Sequence, residues 1–172
     1  MNRVEVPPLP GEDHSCSECG FSYLALDVGE ARAVITAVPD RTRAAALAVP
    51  DPRRRLAPSR WSALEYVCHL RDVYISSTIR LYRVRTEDRP SLEPMLNDLR
   101  TARFRHNEMS LPAVLDELGL TVLGFLDEVD RVRPDGWTRT ATRLPGEERT
   151  ALWFVRHAAH EGVHHIRDIE AS

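Results

Sequence analysis

Along most of this chain apolar residues recur every three to four positions, the period of a helix with one buried face. From Ser22 to Ala37, and again from Arg43 to Val49, the pattern predicts a helical arm that ends before Pro50-Asp51-Pro52. Pro39 is expected to split that arm, since a proline removes a backbone donor and crowds the preceding turn. Ser62 and Glu65 have capping-box spacing, so a second helix is expected to start there and run to about Arg85. Its apolar face reads as Trp61, Leu64, Cys68, Ile75, Ile79 and Tyr82. Residues 86–109, with Pro90 and Pro94, form a long crossover with room for one helical turn. Ser110 can cap a third helix through Pro112, Val114, Leu115, Leu118, Val122, Leu123, Leu126 and Val129, which is expected to stop before Pro134-Asp135-Gly136. Thr150 caps a fourth. No repeat and no β-alternation is evident, so the expected fold is all-α, a four-helix bundle with long crossover connections. Residues 1–21 are rich in Pro, Gly and acidic side chains and read as a tail that orders only if anchored, with the bundle domain occupying 22–172.

Composition adds exclusions. A chain of 172 residues, 42% hydrophobic and 28% charged, suits one globular domain. A net charge of -3 argues against a nucleic-acid partner, and Arg53-Arg54-Arg55 reads as a solvated loop between prolines. No stretch approaches the ~18 to 20 apolar residues of a membrane span, and the first residues carry no apolar leader. The expectation is a cytoplasmic protein without a membrane partner. Three cysteines make a disulfide framework improbable, and in a reducing compartment Cys16 and Cys19 are free to bind metal.

The chemistry concentrates in two helical segments that hold five of the seven histidines, Trp61 to Asp72 and His157 to Asp168. At ~100° per residue, Val155, Ala158, Ala159, Gly162, Ile166 and Ile169 form the core face of the fourth helix. Glu161 and His165 stack one turn apart at its border, while His157, His160 and His164 lie on the opposite side with Trp153. His69 borders the core face of the second helix, and Asp72, one turn on, could accept its other ring N–H and fix the tautomer. His69, Glu161 and His165 therefore make three N/O ligands with a coordination position left for water or substrate, as catalytic zinc sites have. A one-residue slip would put His160 and His164 there instead, at the cost of turning the Ala-Val-Ile stripe outward. Cys16-Ser-Glu-Cys19-Gly20 is half a zinc knuckle; with His160 and His164 it would complete a Cys2His2 set and pin the tail to the outer side of the fourth helix. A free thiol pair, a redox pair, or His157 in place of one ligand are the alternatives. Cys68 is expected in the core, and His106, in the crossover, on the surface.

These segments resemble the DinB-like superfamily of metal-binding four-helix bundles, which includes YfiT-type proteins and the mycothiol-dependent maleylpyruvate isomerases. Trp61 to Asp72 is similar to the family's Trp-x-x-x-Glu-x-x-x-His-x-x-Asp stretch, and Glu161-Gly-Val-His164-His165-Ile-Arg-Asp168 to its C-terminal segment. The likeness covers about residues 22–170 and puts His69 at the first ligand position. Many members carry histidine where Glu161 stands, and the mycothiol-dependent isomerases look like they use glutamate.

The resemblance implies a homodimer, and a low-molecular-weight thiol as co-substrate. Two functions stand at this point. One is a metal-dependent enzyme, a hydrolase or a thiol transferase or isomerase, that activates water or a thiol on its divalent metal. Zinc is first choice for that metal, with nickel, iron or manganese also suited to the ligands. The other is a non-catalytic, stress-associated metal-binding module, favoured by the shortage of further catalytic candidates beyond Asp72, Arg71 and His106.

Overall fold

The computed structural model describes residues 6–172. It contains five α-helices, α1 Val28–Ala48, α2 Ala63–Thr86, α3 Asn97–Arg103, α4 Leu111–Asp130 and α5 Ala151–Glu170. A hairpin of β1 Thr140–Thr142 and β2 Glu148–Thr150 precedes the last of them. The expected four-helix bundle is formed by α1, α2, α4 and α5. Each long helix packs on two neighbours in the ring α1, α5, α2, α4, so α5 lies between α1 and α2. Consecutive helices α1 and α2 sit on a diagonal, which the long connections allow.

Local chemistry explains two of the expected helix starts, whereas Ser110 before α4 makes no side-chain capping bond. Ser62 and Glu65 close the expected capping box, and Thr150 accepts from the Trp153 N–H. The arm differs from expectation. It begins at Asp27, whose capping box with Glu30 was not read from the sequence, and Pro39 sits inside one continuous helix. That proline costs a single N–H bond, whereas Ile35, Val38, Thr42, Ala45 and Ala46 stay buried along one unbroken face. Tertiary burial outweighs the local penalty.

The apolar face expected for the end of α2 is also corrected. Ile75, Ile79 and Tyr82 are exposed, Ile79 by 56%, while Tyr74, Leu81 and Val84 are buried. Two apolar stripes have helical spacing there, and packing against α4 and α5 selects the second. In α4, Leu123 is exposed and Phe125 takes its place in the core. The hairpin was missed because three-residue strands are too short to show alternation. Its one signal was Pro145-Gly146, where Gly146 takes φ +82.

The first five residues of the expected tail lie outside the described residues. Residues 6–25 are tied along α5 and the hairpin. Arg149 donates to the Pro10 and Leu9 carbonyls, Glu12 accepts from the Thr150 N–H at 2.8 Å, and the Trp153 indole donates to the Gly11 carbonyl at 3.1 Å. The side of α5 that carries Trp153 and His160 is thereby covered, and both residues are buried. Among the described residues no helix is long and apolar enough to cross a membrane.

Candidate metal centres

α2 and α5 bring His69, Glu161 and His165 together. His69 Nε2 lies 3.0 Å from Glu161 Oε2, and His165 Nε2 lies 3.5 Å from the same oxygen. One ligand atom from each residue falls within 4.8 Å of the others. Trp61 packs on the His69 ring at 5.0 Å and Tyr66 stacks on His165 at 5.3 Å, so aromatic walls hold both imidazoles. Gly162 permits the close approach behind them, since a Cβ there would meet Val38 Cγ2 at 2.5 Å and the Tyr74 hydroxyl at 2.9 Å.

Protonation follows from the neighbours. Burial alone would raise the Glu161 carboxyl, but His165, His69 and His157 outweigh it and hold the group well below the usual carboxylate range. Burial pulls His69 below its ordinary value against the pull of Glu161. The same burial acts on His165, yet its hydrogen bonds with Asp168 and Glu161 push it up to about 9. An ionised carboxylate beside a neutral imidazole is ready for a divalent ion, and His165 would shed a proton on joining them.

Asp72 is not the partner of His69. Its two oxygens bond to Arg71 and to Arg100, with His106 Nε2 3.4 Å away, so it anchors the crossover to α2. The orienting carboxylate is Asp168, whose Oδ2 is 2.8 Å from His165 Nδ1. Its place three residues after a ligand histidine was the available signal. His106, expected on the surface, is only 1% exposed, because the crossover folds back over α2. Cys68 is fully buried, which pushes its thiol up to about 12.

On the other side of α5, Cys16, Cys19, His160 and His164 offer four ligand atoms within 4.8 Å of one another. Cys16 Sγ is 3.5 Å from His164 Nδ1. His160 and His164 thus converge with the cysteines and not with His69. Two further clusters, His157-His160-Glu161 and His164-His165-Asp168, reuse members of these sets.

A cavity of about 370 Å³ opens on the inner set, lined by His69, His157 and Glu161 and flanked by Pro7–Leu9 of the arm and Pro94–Leu96 of the crossover. Arg80 and Arg143 line it too. Arg143 is paired with Glu147 at 2.9 Å. Arg80 donates to the Glu93 carbonyl at 2.7 Å and forms no ion pair among the described residues. Burial and then Arg143 draw it down to about 10, with Glu161 opposing. Arg80 was missed in the sequence, although it lies eleven residues after His69, about three turns along the same line of α2.

The DinB superfamily model matches residues 33–169, and the chain belongs to that family. YfiT from Bacillus subtilis, described as "a probable metal-dependent hydrolase with an unusual four-helix bundle topology", shares the fold with a TM-score of 0.73 at 18% identity. The match covers 95% of this chain and 91% of YfiT. No curated protein matches.

Proposed function

We propose that this protein is a metal-dependent enzyme acting on a small anionic substrate, with His69, Glu161 and His165 as the metal ligands. The observation that carries the reading is that three N/O donors meet and two of them, His69 and Glu161, line a cavity, where a closed structural site would have four donors and no opening. A divalent metal held there would lower the pKa of a bound water or thiol and supply a nucleophile at neutral pH. Glu161 provides the anionic ligand, and Asp168 holds the His165 ring so that Nε2 faces it. Trp61 and Tyr66 restrict water around the two imidazoles. Arg80, half-buried and without a carboxylate partner among the described residues, is placed to take a carboxylate or phosphate on the substrate.

The reaction is hydrolysis or thiol transfer, the latter supported by the glutamate at position 161 that resembles the mycothiol-dependent isomerases. The test pairs metal analysis with turnover. Wild type loaded with zinc, nickel, iron or manganese is assayed on anionic esters and amides, and on carboxylated electrophiles with and without a low-molecular-weight thiol. The expected result is metal-dependent turnover that His69→Ala abolishes. Equal metal content and equal turnover in wild type and His69→Ala would defeat the assignment, and metal binding without turnover on any probe would favour the non-catalytic module.

A further inference from the structure

We propose that the protein carries a second, closed metal centre, a zinc bound by Cys16, Cys19, His160 and His164, which clamps the N-terminal arm to α5 and so fixes one wall of the cavity. Four observations carry it.

The donors are those of a structural zinc site, two thiolates and two imidazoles, and all four ligand atoms gather within 4.8 Å. A tetrahedron with zinc–sulfur bonds of ~2.3 Å and zinc–nitrogen bonds of ~2.0 to 2.1 Å has sulfur–nitrogen edges of ~3.5 Å. The distance from Cys16 Sγ to His164 Nδ1 is 3.5 Å.

The backbone is shaped for it. Residues 14–23 fold back as a tight turn in which the Cys16 N–H donates to the Phe21 carbonyl at 2.8 Å and the Gly20 N–H to the Cys16 carbonyl at 2.9 Å. Gly20 sits at φ +75, a left-handed conformation that would strain any side chain, and it lets both cysteines face the same way.

A buried polar atom is left over. His160 is buried, its Nδ1 lies 3.1 Å from the Tyr23 hydroxyl, and its Nε2 has no partner among the described residues. An unsatisfied buried ring nitrogen costs roughly 1 to 3 kcal/mol, and a metal on Nε2 removes that cost.

The outer hydrogen bonds suit ligands. With Nε2 on the metal, the His160 Nδ1–H donates to the Tyr23 oxygen, and the Tyr23 O–H donates to His157 Nδ1 at 2.8 Å. His164 would bind through Nδ1, which leaves its Nε2–H facing Glu18 at 3.6 Å and Asp168 at 3.7 Å. Both ligand imidazoles thus have the outward acceptor that metal-bound histidines use. Forming the centre releases the two thiol protons to solvent and involves no redox step.

The test counts and identifies metals without relying on activity. Zinc is measured in the purified full chain, and cobalt is then substituted for it. Two equivalents per chain are expected in wild type, with a near-ultraviolet thiolate-to-cobalt band. The Cys16→Ser/Cys19→Ser variant should lose one equivalent and the band, and His69→Ala should lose the other equivalent and keep the band. Thiol titration of the wild type should find Cys16 and Cys19 reduced and protected until the metal is stripped, whereupon amide exchange across residues 14–23 rises at least tenfold. The proposal is overturned if wild-type cobalt protein lacks the thiolate band, if the double cysteine variant keeps two equivalents, or if the cysteines are found joined as a disulfide. Because the cobalt spectrum is read on wild type, a poorly folding variant does not decide the matter. A wild type that holds one equivalent with the thiolate band, unchanged in His69→Ala, would defeat the proposed active centre and leave this one standing.

Discussion

The two sides of α5 present nearly the same ligands at the same spacing, and they are built for different ends. On the inner side, Glu161 and His165 meet His69, and the His69 and Glu161 side chains line a cavity. On the outer side, His160 and His164 meet two cysteines under a folded arm, four donors with no vacancy among them. The pairs are offset by one residue, which is ~100° of rotation on a helix and enough to aim them at different partners. What the helix cannot supply is the third ligand. α2 brings a single imidazole and leaves a position open, while the arm brings two thiols and closes the set. Openness, and with it the chemistry proposed for the inner set, is decided by the partner segment.

The strongest way to break this contrast is His69→Ala, which should abolish inner-site metal and turnover while sparing the outer site, as read by metal stoichiometry. Asp168→Asn comes next. Its carboxylate orients His165 and faces His164, so inner-site affinity should fall about 10- to 100-fold, with a smaller loss outside, measured by competition with a chromogenic chelator. Gly162→Ala should sharpen the contrast by crowding only the inner side. The added methyl meets Val38 and Tyr74, and about 1 to 3 kcal/mol of stability should be lost in denaturant unfolding. Arg80→Gln should raise KM for anionic substrates roughly tenfold, in keeping with one lost charge-assisted hydrogen bond, and leave KM for neutral analogues unchanged. Smallest is the effect of pH on Cys68. Burial places its thiol at about 12, so it should resist a thiol reagent at pH 8 in the native protein and react only on unfolding.

Much of this was legible in the sequence because helix geometry is local. The capping box at Ser62 and Glu65, the core stripe of α5 and the one-residue offset between its two ligand pairs all follow from spacing. What required coordinates were choices between equal patterns. Ile75, Ile79 and Tyr82 have the same periodicity as the stripe that α2 buries, and only its neighbours select one. Asp72 has good spacing to serve His69, yet its neighbour Arg71 and Arg100 of α3 claim its oxygens. Arg80 looks like any surface arginine until the crossover and the arm enclose it. Pro39 reads as a break because local rules do not include the burial of Ile35 and Val38 around it.

The Tyr23 hydroxyl lies within hydrogen-bonding distance of both His160 and His157, and His157 in turn lies 3.8 Å from Glu161. One O–H can point only one way, so occupancy at either end dictates its direction for both. Loading the outer centre would then alter affinity at the inner one, and linkage demands the same factor in return. Zinc titrations begun from opposite ends of the molecule should reveal that reciprocity, and Tyr23→Phe should erase it.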